Sequence, residues 1–125
     1  MKKSLIAEKS FAFAVCVVRL FQFLAKEKQE YVLGKQLVRS GTSIGANAEE
    51  AVSASSRADF VIKLTLSLKE ARETSYWLRL LHETDYIATL AFESIHSDCE
   101  ELIRILVRII RTTRETETPG QVPKS

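Results

Sequence analysis

Proline is almost missing from this chain of 125 residues; Pro119 and Pro123 are the only two, and both lie near the C-terminus. Glycine is scarce as well, with four. Tight turns between short strands lean on these two residues, so their shortage excludes a many-stranded protein and favours long helices. A secretion signal is not readable either. The start MKKSLIAEKSF opens with a basic pair, Lys2 and Lys3, but Glu8 and Lys9 stand where an apolar signal core would run. The longest apolar run, FAFAVCVV at 11–18, stops at Arg19, far short of the roughly 20 residues that cross a bilayer. Cysteine is limited to Cys16 and Cys99. Each sits in an apolar helical pattern, and both are expected to be reduced, buried small hydrophobes. A cytoplasmic protein is the resulting expectation. One further shortage is net charge: +2 is too little to imply a nucleic-acid partner by itself.

What is there is ordinary for one globular domain, with 46% hydrophobic and 27% charged residues. Four helical segments can be drawn, at about 4–26, 31–54, 56–82 and 89–113. In the first, Leu5, Phe11, Val15, Val18, Phe21 and Leu24 make a stripe, while Phe13, Val17, Leu20 and Phe23 cover much of the remaining circumference. A helix apolar nearly all round has to be covered on more than one side, which predicts a homo-oligomer. Ser56-Arg-Ala-Asp59 has the form of a capping box for the third helix, and Thr89 is the expected cap of the fourth. Short links predict an all-α, antiparallel up-down-up-down four-helix bundle over 1–114. The tail 115–125 has no apolar period and is expected to be disordered.

The stretch SGTSIGANAEEA at 40–51 decides the fold. It is not a phosphate-binding loop, because that needs G-x-x-x-x-G-K-[ST] after a strand, and here three residues separate Gly41 from Gly45, with Ala46 next. Two interior glycines destabilise a helix by roughly 1 kcal/mol each relative to alanine. Yet Leu37, Gly41, Ile44, Ala48 and Ala51 fall on one continuous helical stripe with Gly45 at its border. The stretch therefore reads as a helix stripped of bulk so that a neighbour can pack closely. Arg39, Asn47 and Glu50 lie beside this seam, and the third helix offers Glu70 and Glu73. Their simplest role is an interhelical polar network. A carboxylate metal centre of Glu50, Glu70 and Glu73 is the sharper alternative, but helical di-iron sites use two Glu-x-x-His pairs, and only Glu93 with His96 has that order. No metal, cofactor or catalytic residue is assigned, and no enzyme activity is expected.

The fourth helix carries Arg104, Arg108, Arg111 and Arg114 along one stripe. Basic residues near a helix C-terminus suit the helix dipole, and Glu100 precedes Arg104 in a favourable register. The same row is a candidate nucleic-acid-binding surface, since like charges at this spacing repel and a polyanion would relieve them. An adaptor that docks a protein partner is the other open reading.

RSGTSIGANAEEA together with KLTLSLKEARETSYWLRLL resembles the two signature blocks of the 23S rRNA intervening-sequence protein family. EKSFAFA, YVLGKQLVRSG and IIRTTR sit where that family has similar segments, so the resemblance covers about 4–114. It implies a left-handed up-and-down four-helix bundle that assembles as a ring-like homopentamer. It also implies kinship with proteins encoded in insertions within 23S rRNA genes, and with the accessory variability protein of diversity-generating retroelements, which works with a reverse transcriptase and contacts nucleic acid.

Overall fold

Four helices account for most of the described residues: α1 (Leu5–Glu27), α2 (Val32–Val52), α3 (Arg57–Glu83) and α4 (Thr89–Glu115). A computed structural model describes residues 4–116, and no strand occurs among them. Each helix packs on the next, and α1 also lies along α4, so the four enclose one core. Leu24, Leu37, Ile44, Leu64, Leu78 and Leu106 are among its largest fully buried members. Helix α4 continues to Glu115 with its cap at Thr116, so the tail begins later than expected; residues 117–125 of that tail lie outside the described residues.

The helix starts follow local chemistry. Ser4 Oγ accepts from the Ala7 amide at 3.3 Å, and Ser56 Oγ from the Asp59 amide at 3.0 Å, the half of the capping box that satisfies an open donor. Such caps are worth about 1 kcal/mol. Helix α2 uses Glu30 instead, whose Oε1 accepts from the Leu33 and Gly34 amides at 2.8 and 3.0 Å. The expectation for Thr89 is corrected. Ala88 is the cap of α4 and Thr89 is already helical; its Oγ1 lies 3.2 Å from His82 Nε2 instead.

The stripe drawn on α1 also needs correction. The face packed into the bundle is Ile6, Ser10, Phe13, Val17 and Leu24, whereas Leu5, Phe11, Val15 and Val18 point outward. Phe11 is 62% exposed. Hydrophobicity could not choose between these faces because both are apolar; shape chose. The inward face presents Ser10 and Val17 to the glycines of α2. Cys16 is exposed, in the groove that α1 makes with Asp98, Glu101 and Leu102 of α4, so of the two expected buried thiols only Cys99 is buried. Cys99 donates to the Ala71 carbonyl at 3.3 Å, and burial, with a smaller effect from Glu100, pushes its pKa up to about 12.

Candidate nucleic-acid interface and the polar seam

The thinned stretch is helical throughout. Leu37, Gly41, Ile44, Gly45, Ala48 and Ala51 are all buried. A Cβ built on Gly41 would come within 2.7 Å of Val17 Cγ1, and one on Gly45 within 3.3 Å of the Ser10 carbonyl oxygen. Gly34 faces the Phe21 ring in the same way, at 2.9 Å. Side-chain bulk is thus excluded where α2 meets α1. The other flank of α2 meets α3 through hydroxyls. Ser67 Oγ donates to the Ile44 carbonyl at 2.8 Å, and Thr74 Oγ1 lies 2.9 Å from Ser40 Oγ. Both contacts are buried, and among the described residues no buried side-chain polar atom lacks a partner. These hydroxyls escaped the sequence reading because serine and threonine on a helix usually bond within their own turn.

The polar residues at the seam form two separate groups rather than one network. Arg39 reaches across to Glu70 at 3.4 Å and to Glu73, whose carboxylate also accepts from Trp77 Nε1 at 3.0 Å. Glu50 instead pairs with Lys63 at 2.9 Å, near the far end of α2. Asn47 joins neither group. Its amide donates to the Ser43 carbonyl one turn back at 2.9 Å, a bond its own helix supplies more readily than a neighbour can. Each carboxylate once grouped as a metal candidate therefore has a nearby cation. Among the described residues no group of three or more His, Cys, Asp or Glu is placed to hold a metal ion.

The fold does assemble one serine–histidine–carboxylate cluster that sequence spacing hid. His96 Nε2 lies 2.9 Å from Ser75 Oγ and 3.5 Å from Glu100 Oε2. A nucleophilic triad needs the carboxylate on the other ring nitrogen, so that the imidazole is held as a base towards the hydroxyl. Here one nitrogen faces both partners, and Ser75 is buried against substrate. The arrangement is a cross-helix polar bond that fixes α4 on α3.

On α4, Arg104, Arg108, Arg111 and Arg114 are all exposed and lie on one side of the helix, opposite buried Leu102, Leu106 and Ile110. Among the described residues Arg104, Arg108 and Arg111 have no ion pair; Glu100, four residues before Arg104, turns to His96 and Ser75 instead. No described helix is long and apolar enough to cross a membrane.

This geometry defines a small all-helical protein whose distinctive parts are a bulk-free α2 seam and an outward arginine row. The chain belongs to the family described as 23S rRNA-intervening sequence protein, whose model matches residues 2–108. A solved relative is similar over 85% of this chain and 98% of its own, at 52% identity and a TM-score of 0.84. It is a protein of unknown function from the S23 ribosomal protein family of Bacteroides thetaiotaomicron VPI-5482. No curated protein matches the chain.

Proposed function

We propose that this protein is a non-enzymatic, ring-like homo-oligomer that binds RNA or DNA through the arginine row of α4. The observation that carries the reading is the row itself: Arg104, Arg108, Arg111 and Arg114 exposed on one side, three of them without an ion pair among the described residues. Repetition around an oligomer would multiply these phosphate contacts and make binding steeply salt-dependent. The family's description as 23S rRNA-intervening sequence protein points to the same class of partner, and an rRNA-linked role would place the protein in the cytoplasm.

Two features support the assembly. The outward face of α1 is apolar, and Phe11, Ala14, Val15, Val18, Arg19 and Gln22 line a depression of about 410 Å³. Contacts between neighbouring helices run in opposite numerical order: Ser10, Val17 and Phe21 meet Gly45, Gly41 and Gly34, and Ser40 and Ile44 meet Thr74 and Ser67. That order supports an antiparallel up-down-up-down bundle, which leaves one long side of α1 free along its length.

A titration of fluorescent RNA at low and at physiological salt tests the binding. Micromolar or tighter binding is expected, falling steeply with salt and lost in Arg108→Glu. No binding at low salt would refute it. That outcome would leave the adaptor reading, an oligomeric bundle that docks a different protein and has no nucleic-acid role.

A further inference from the structure

Helix α3 presents Arg72, Tyr76 and Arg79 at helical spacing on an exposed face. Arg79 sits over the Tyr76 ring, with its guanidinium carbon 5.9 Å from the centroid. Among the described residues neither arginine has an ion pair. Beside this face Tyr76, Arg79, Leu80, His82, Glu83 and Phe92 line a depression of about 450 Å³. It adjoins a column of near-parallel rings: His82 lies 4.3 Å from Phe92 with planes 7° apart, and Phe92 lies 4.9 Å from His96 at 19°. The column is pinned at both ends, by Thr89 at His82 and by Ser75 at His96. Both faces of Phe92 are covered by imidazoles, while His82, at the end of the column, lines the depression.

We infer that this depression is a stacking site for an unpaired nucleobase, so that the nucleic acid of the preceding proposal, on which this inference rests, is single-stranded. Arginines alternating with an exposed ring are what such a strand needs: the ring takes a base face and the cations take the flanking phosphates. Preset rings need no ordering on binding. The Glu83 carboxylate, an acceptor only, favours a base that carries an exocyclic amino group, such as cytosine, over uracil. From Phe92 to Arg104 the helix rises about 18 Å, a span that about five stacked nucleotides cover at roughly 3.4 Å each. Such a strand reaches from one site to the other by also winding about a third of a turn around α4.

The test compares a single-stranded cytosine-rich RNA of about 12 nucleotides, a length within known single-strand site sizes, with a duplex of equal length. Trp77, the single tryptophan, stands edge-on to Tyr76 at 5.0 Å and reports occupancy by its fluorescence. The wild-type protein is expected to prefer the single strand. Tyr76→Ala is expected to weaken single-strand binding about tenfold with little effect on the duplex, and Tyr76→Phe to restore it. Circular dichroism checks that the variants fold. Equal binding of both RNAs, unaffected by Tyr76→Ala but abolished by Arg108→Glu, would overturn the stacking site and leave the arginine-row proposal standing. Binding of neither RNA at low salt would remove both.

Discussion

Val17 lies over Gly41 so closely that a single added methyl group would meet both of its γ carbons, at 2.7 and 2.9 Å. Val17 is wholly buried and β-branched, with little freedom at χ1, so it cannot swing aside. Alanine at 41 would gain about 1 kcal/mol of helix propensity against an overpacking penalty of about 1–3 kcal/mol. Gly41→Ala is therefore expected to lose stability by up to about 2 kcal/mol. At Gly34 the same propensity gain is set against the edge of the half-buried Phe21 ring rather than a wholly buried β-branched side chain, so Gly34→Ala is expected to be less destabilising than Gly41→Ala. Urea midpoints at one protein concentration check the order; equal midpoints would contradict the close-packed seam.

The hydroxyls between α2 and α3 make a second series. Ser67→Ala removes the cross-helix bond to Ile44 and is expected to destabilise by about 1 kcal/mol. Thr74→Val leaves buried Ser40 with only the distant Leu37 carbonyl, at 3.4 Å, and is expected to lose more, about 1–3 kcal/mol. Thr65→Val is the control, because exposed Thr65 bonds only its own Val61 carbonyl. Thermal or urea unfolding reads all three.

The two thiols should behave differently. Exposed Cys16 is expected to react with a thiol reagent in the native protein at pH 8, and buried Cys99 only after unfolding, so that one group per chain titrates quickly. The shift at Cys99 also has a thermodynamic sign. Unfolded, the thiol ionises near its ordinary value of 9.0; folded, it holds its proton to about 12. Between these values the unfolded chain binds fewer protons, so the thiol's contribution is intact below about pH 9 and declines as pH rises towards 12. The expected loss is at most about 4 kcal/mol. The alkaline slope of unfolding free energy should be shallower in Cys99→Ala than in wild type.

Self-assembly is expected to depend on the outward side of α1. The double variant Phe11→Glu, Val18→Glu places charge there without touching the core. Light scattering should give a multiple of 14.1 kDa for wild type and close to one chain for the variant, with helicity by circular dichroism retained. An unchanged mass in the variant would show that α1 is not the contact.

The four helices and the bulk-free stretch were legible because a 3.6-residue period survives wherever one face is apolar and the other polar, as in α2 and α4. Leu37, Gly41, Ile44, Ala48 and Ala51 could be aligned from spacing alone. The facing of α1 could not, since residues 11–18 contain no polar side chain to mark the outside. Asn47 was misjudged for a related reason: proximity to the seam says nothing about whether a carbonyl one turn back satisfies its amide first. The pairing of Ser75 with His96, and the ring column beside it, join positions on α3 and α4 that only the folded chain brings together.

Because α1 is greasy around its whole circumference at 11–18, burial alone scarcely penalises its rotation about its own axis. What holds it at one angle is the fit of Ser10 and Val17 into the hollows left by Gly45 and Gly41. Filling those hollows should do more than loosen the bundle: it removes the feature that tells this helix which side is in, and Phe11 and Phe13 become competitors for the same interior place.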